Sequence, residues 1–140
     1  MMEAQCRYIA VIDDDASVGR SLCRLLRSSG LKAVSFTTGG EFIRFAMHQT
    51  FDCLILDIHM PGLDGFQVQD RLESMGIKVP IVFITALGDP DIQVKAIAKG
   101  AAGYLQKPFT DKALLDRITD AIKNSGRKCS RPGREKMMKS

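Results

Sequence analysis

Asp13, Asp14 and Asp15 stand one after another behind the apolar run Tyr8-Ile9-Ala10-Val11-Ile12, and Asp57 closes a second run, Cys53-Leu54-Ile55-Leu56. Carboxylates drawn together repel, and the usual relief is protonation or a bound cation. Hard oxygen ligands with no His or Cys beside them suit Mg²⁺ better than zinc. Two further polar residues end apolar runs: Thr85, followed by small Ala86, and Lys107, followed by Pro108. A carboxylate, a hydroxyl and an ammonium at neighbouring strand ends form a site for a phosphoryl group. The cation and the lysine neutralise its charge, and the hydroxyl donates a hydrogen bond. Singly, each residue has a plainer reading. Asp15 caps the helix that follows, Thr85 is a turn residue, and Lys107 is a solvated loop lysine. Their joint order is what points to phosphoryl chemistry.

The elements that must position these groups alternate along the chain. Strand signals occupy 8–12, 33–36, 53–57, 79–84 and 103–106. Helical spacing links Val18, Leu22, Leu25 and Leu26 up to Gly30. Thr38-Gly39-Gly40-Glu41 has the form of a capping box, predicting a helix that buries Phe42, Phe45 and Ala46. A third helix runs through Val68 and Leu72. Asp89-Pro90 predicts an N-cap with proline at the first helical position, and that helix stops at Gly100. The last helix runs from Asp111 to about Lys123, with Leu114, Leu115, Ile118 and Ile122 on one face. Strands that are apolar throughout belong to a parallel sheet covered on both faces. The expected fold is therefore α/β, a doubly wound five-stranded parallel sheet, which binds its ligand beyond the carboxyl ends of the strands.

Composition narrows the class. The chain has 140 residues, 45% of them hydrophobic and 26% charged, which predicts one domain with a short tail. No apolar stretch is long enough to span a membrane, and no signal-peptide core follows Met1, so a cytoplasmic protein is expected. The net charge of +4 is unevenly placed: residues 124–140 carry +5 and residues 1–123 carry −1. The expected division is a folded body over 1–123 and a basic, flexible tail or linker over 124–140. Cys6, Cys23, Cys53 and Cys129 lack the paired spacing of a zinc or redox site, and the first three read as buried, reduced thiols.

The matching stretches Ile12-Asp13-Asp14-Asp15, Leu56 to Gly65 (Leu-Asp-Ile-His-Met-Pro-Gly-Leu-Asp-Gly), Ile84-Thr85-Ala86 and Lys107-Pro108-Phe109 together resemble the receiver domain of bacterial two-component response regulators. The resemblance covers residues 7 to about 123. It implies a flavodoxin-like fold with strand order 2-1-3-4-5. It implies Asp57 as the phosphoacceptor, with Mg²⁺ held by Asp13, Asp14, Asp57 and the backbone carbonyl of His59. Thr85 and Lys107 would bind the phosphoryl oxygens, and Tyr104 would follow Thr85 as a switch. The resemblance suggests a cis Lys107-Pro108 bond, which the sequence itself leaves open. The implied partner is a cognate histidine kinase or a phosphotransfer protein. The chain would not be a turnover enzyme, undergoing only Mg²⁺-dependent self-phosphorylation and slow autodephosphorylation. Apolar Leu87, two residues after Thr85, offers nothing to orient a hydrolytic water, so a long-lived phosphoryl state is expected.

The output face would be the fourth helix, fifth strand and fifth helix, with Gln93, Lys95, Lys99, Tyr104 and Asp116 beside Ile92 and Ala96. It would serve a homodimer, a partner or an attached effector domain, including a transcriptional one. The alternative is a freestanding receiver acting as a phosphorelay intermediate or docking module. Other classes fit poorly. An aspartate-nucleophile phosphatase needs a second acid where His59 stands. A mononucleotide binder wants a phosphate loop where three acids lie, and no P-loop is present. The tail holds no aromatic residue and is too short for a helix-turn-helix, so specific nucleic-acid binding by this chain is not expected.

Overall fold

The computed structural model describes residues 7–125. Five strands alternate with five helices: β1 (Tyr8–Ile12), α1 (Ala16–Ser28), β2 (Lys32–Phe36), α2 (Gly39–Ala46), β3 (Cys53–Asp57), α3 (Gly65–Ser74), β4 (Ile81–Thr85), α4 (Pro90–Ala98), β5 (Gly103–Gln106) and α5 (Asp111–Asn124). All pairings are parallel, in the order β2-β1-β3-β4-β5. β4 begins two residues later than expected, and α5 extends one residue into the expected tail. Cys6, Cys129 and the tail beyond Ser125 lie outside the described residues. Among the described residues, no helix is long and apolar enough to cross a membrane.

The unbroken apolar runs reflect burial on two faces. Along β1, Ala10 and Ile12 join a layer with Phe42, Phe66, Val68 and Leu72 from α2 and α3. Ile9 and Val11 join the opposite layer with Leu26, Leu114 and Ile118 from α1 and α5. The alternation of β3 is the same, with Leu54 and Leu56 on the first face and Cys53 and Ile55 on the second. Side chains alternate across a strand, so a strand covered on both sides must be apolar at every position. Cys23 and Cys53 are both buried, as expected.

Helix starts follow local chemistry. Asp15 caps α1 by accepting from the amides of Ser17 and Val18. Asp89 caps α4 ahead of Pro90, and Thr110 caps α5. At α2 the box is only half made: Thr38 accepts from the Glu41 amide, while the Glu41 carboxylate accepts from Thr37 rather than Thr38. The complete reciprocal box is at α3, between Asp64 and Gln67. Phe45, expected in the core, is substantially exposed at the end of α2, with its ring against Phe36 and Phe51. Eight residues make little more than two turns, so the apolar stripe of α2 outlasts the surface it can cover.

Candidate functional site

Strand register brings the acids together. Ile12 pairs with Leu56 across β1 and β3, so Asp13 and Asp57 emerge side by side one residue further on. Asp13, Asp14 and Asp57 each place one carboxylate oxygen within 4.8 Å of the others. Asp13 and Asp57 are 1% and 5% exposed, whereas Asp14 faces solvent. Asp15 is turned away to its cap, so the three consecutive acids divide two to one between site and helix.

Lys107 reaches in from the end of β5. Its Nζ lies 2.8 Å from Asp13 Oδ2 and 3.6 Å from Asp57 Oδ2. The Lys107-Pro108 bond is cis, as the family resemblance implied, and the Lys107 amide donates to the Thr85 carbonyl at 2.8 Å. Asp13 is further held by the Asp15 amide at 2.9 Å. Asp57 accepts from the His59 amide at 3.1 Å.

These surroundings set the titration of the site. Burial pushes Asp57 up from its ordinary range to about 6, and the negative charge of Asp13 adds to the rise. Lys107, the His59 amide and, in the opposite sense, Asp14 contribute less. For Lys107, burial works against the charged form, but the hydrogen bond it donates to Asp13 and the charges of Asp57 and Asp13 outweigh it and hold the ammonium above its usual value. Asp57 is thus a carboxylate whose negative charge lacks full compensation, which is what makes it responsive to a cation or an electrophile.

The backbone after Asp57 is held just as tightly. Gly65 opens α3 directly against it, and a Cβ there would lie 2.7 Å from the Asp57 carbonyl oxygen and 2.9 Å from the Ile58 Cα. Only glycine allows this approach without moving the strand end. His59 is itself exposed, so its ring is outside the cluster and its contribution is through the backbone.

Thr85 sits at the expected strand end, fully buried, yet its hydroxyl is not turned to the acids. Oγ1 accepts from the Leu87 amide at 3.1 Å and lies 3.4 Å from the Leu87 carbonyl oxygen. Tyr104 neighbours Phe83 across β4 and β5, half-buried against the α2–α3 layer. Burial and the nearby Asp89 charge push its hydroxyl up in pKa.

The side chains expected on the output face divide among different neighbours. Ala96 is buried, the single core residue of α4. Lys95 lies over the Phe66 ring and Lys99 pairs with Asp70 at 2.7 Å, so both lean toward α3 rather than α5. Asp116 pairs with Lys112 within α5. What α4 does expose is Val94 and Ile97, at 66% and 61%, with Leu87 at 58% in the preceding loop. The sequence pointed past these because apolar residues in a short helix read as core.

The donor set fits a hard divalent cation: three carboxylates converge with no nitrogen or sulfur ligand beside them. Comparison with known proteins identifies the family. A family model described as the response regulator receiver domain matches residues 9–119. Nodulation protein W of Bradyrhizobium diazoefficiens is 42% identical over 120 residues, 85% of this chain and 53% of that protein. Response regulator protein TodT of Pseudomonas putida is 38% identical over 122 residues, 87% and 54% respectively. The chain therefore spans about half the length of these relatives. A response regulator receiver protein from Burkholderia phymatum superposes with a TM-score of 0.75 at 42% identity, covering 84% of this chain and 95% of that one. With fold, register and acidic cluster all in agreement, this chain belongs to the response regulator receiver domains of two-component systems.

Proposed function

We propose that Asp57 accepts a phosphoryl group, in a Mg²⁺-dependent reaction, from a histidine kinase, a phosphotransfer protein or a small phosphodonor. The observation that carries this reading is the cluster itself: Asp57 buried beside Asp13, with Lys107 bridging both. An Asp57 carboxylate oxygen attacks phosphorus, the bond from phosphorus to the donor's nitrogen or oxygen breaks, and the donor leaves with that electron pair. Asp13, Asp14, Asp57 and the His59 carbonyl would hold the cation. When bound, Mg²⁺ shields the charge that builds on the phosphoryl oxygens. Lys107 then shifts its ammonium from the carboxylates to a phosphoryl oxygen.

Thr85 supplies the link to output. To donate to a phosphoryl oxygen its hydroxyl must leave the Leu87 backbone, which loosens the loop ahead of α4 and frees space that Tyr104 would enter. α4 is anchored by one buried residue, so this end of the molecule gives way more easily than α1 or α5. The exposed pair Val94 and Ile97 would join Gln93 and Tyr104 on the surface offered to a second copy or to a partner. Such a switch requires that the partner bind one state more tightly. The body over 1–123, with 124–140 as linker, would act in the cytoplasm within a longer regulator. The lengths of the relatives support that reading, as does the similarity to a protein named transcriptional regulatory protein FixJ, 36% identical over 118 residues. The output would then be transcriptional.

Intact-protein mass after incubation with acetyl phosphate tests the chemistry. The expected result is one phosphoryl increment that needs Mg²⁺ and disappears in Asp57→Asn. An increment that survives in Asp57→Asn overturns the assignment. With no hydrolytic group at Leu87, the increment should decay over minutes to hours, and a half-life of seconds would remove that part of the reading.

A further inference from the structure

We propose that a cavity between α3, the segment leading into β4 and the end of α4 binds a small, uncharged molecule that is part apolar and bears an N–H or O–H donor. The cavity measures about 400 Å³, inside the range of roughly 300–1,000 Å³ usual for small-molecule sites. Leu72, Ile77, Val79 and Ile81 form its apolar wall, with Gln69 and Lys99 at the polar corner. It lies at the amino end of β4, the opposite end from Thr85, and shares no residue with the acidic cluster.

Gln69 gives the cavity its chemistry. It is 5% exposed, and its Nε2 donates to the Lys99 carbonyl at 2.9 Å. Its Oε1 is buried and meets no hydrogen-bond donor among the described residues. A buried acceptor left without a donor is unfavourable, and a donor brought by a ligand recovers what burial took away. That requirement selects a molecule with an N–H or O–H group.

Charge around the cavity selects against ions. The Lys99 ammonium is taken by Asp70 at 2.7 Å, and Glu73 and Lys78 at the rim oppose each other in sign. Ile77-Lys78-Val79, which lines the cavity, belongs to no helix or strand. A second cavity of about 230 Å³, beside Phe42 and Phe51, lies against this same segment. The segment therefore has space to yield, and as it does so a ligand reaches Oε1. Because the same amide holds the Lys99 carbonyl, the C-cap of α4, occupancy is felt at that helix end.

The test is NMR titration of the ¹⁵N-labelled full chain with indole and with 1-methylindole, which keeps the ring and lacks the donor. Indole is expected to give saturable shifts at the Gln69 side-chain amide and at the backbone amides of Gly76, Ile77, Lys78 and Gly100. 1-Methylindole should bind at least tenfold more weakly, and Gln69→Leu should erase that difference. Ile77→Phe, which fills the cavity and leaves Gln69 in place, should abolish binding of both while still accepting a phosphoryl group from acetyl phosphate. It also carries the test if Gln69→Leu fails to fold. No saturable shift up to the solubility limit, equal affinity for the two probes, or shifts confined to the acidic cluster would overturn the proposal.

Discussion

Two buried aspartates bracket β3, and their surroundings differ in kind. Asp52, just before the strand, is fully buried; its Oδ2 accepts from the Tyr8 amide at 2.8 Å while its own amide donates to the Tyr8 carbonyl at 2.8 Å. It fastens β1 to β3 at their amino ends. Asp57, at the other end, accepts one amide and shares Lys107 with Asp13, and its charge is held against burial and two other carboxylates. One carboxylate is used to hold the sheet together. The other sits where burial and Asp13 make its charge unfavourable, which fits the phosphoacceptor role proposed for it.

Substitution at the two ends of β3 should change stability in opposite directions. Burial and the Asp13 charge push Asp57 up to about 6 in the folded protein, from an ordinary 3.8 in the unfolded chain. Between those values the native state binds more protons, so stability falls as pH rises through the window. Above pH 6, without metal, the ionised group costs about 3 kcal/mol, at 1.36 kcal/mol for each unit. Asp57→Asn should raise urea-unfolding stability by up to that amount at pH 7.5 in EDTA, with the gain vanishing below pH 4. Asp52→Ala should do the reverse. It leaves the Tyr8 amide without its acceptor and should cost about 2 kcal/mol, while the folded protein still takes up a phosphoryl group. Destabilisation by both substitutions at pH 7.5 would show that Asp57 is as structural as Asp52.

Mg²⁺ should act on one end only. A cation that binds the native state at ten times its Kd stabilises by about 1.4 kcal/mol. That increment should appear in wild type, shrink in Asp13→Asn and in Asp57→Asn, and persist in a folded Asp52→Asn. Thermal melts with Mg²⁺ and with EDTA read it directly. An equal increment in Asp13→Asn would place the cation elsewhere.

What was legible in the sequence follows the same division. Asp13 and Asp57 could be brought together on paper because each directly follows an apolar run, and parallel register aligns run ends. The Asp89-Pro90 start of α4 is equally local, a cap and a ring that preset the helix. Asp52 gave no such signal: its role depends on an amide 44 residues away and on complete burial. The direction of Thr85 was also hidden, since a strand end does not say whether a hydroxyl turns to the site or to the loop two residues on. The lean of Lys95 and Lys99 toward α3 was hidden for a related reason. A long flexible side chain goes where a ring or a carboxylate is available, and Phe66 and Asp70 lie on a different helix.

The smallest expected effect concerns α3, which leaves the site at Gly65 against the Asp57 backbone. Asp64 caps it, accepting from the Gln67 amide at 2.9 Å while the Gln67 side chain accepts from the Asp64 amide at 2.9 Å. Asp64→Ala removes the acceptor for one otherwise orphaned amide and one charge from the helix N-terminus, a loss of about 1 kcal/mol. Asp64 is half-buried and lies outside the three-carboxylate cluster, so phosphoryl uptake should be unchanged in rate. If uptake slows more than a few-fold while stability falls by only that amount, the Asp64–Gln67 box is positioning the backbone after Asp57. The reactive end of β3 would then rest on α3 as well as on Asp13 and Lys107, and the contrast with Asp52 would narrow to the charge alone.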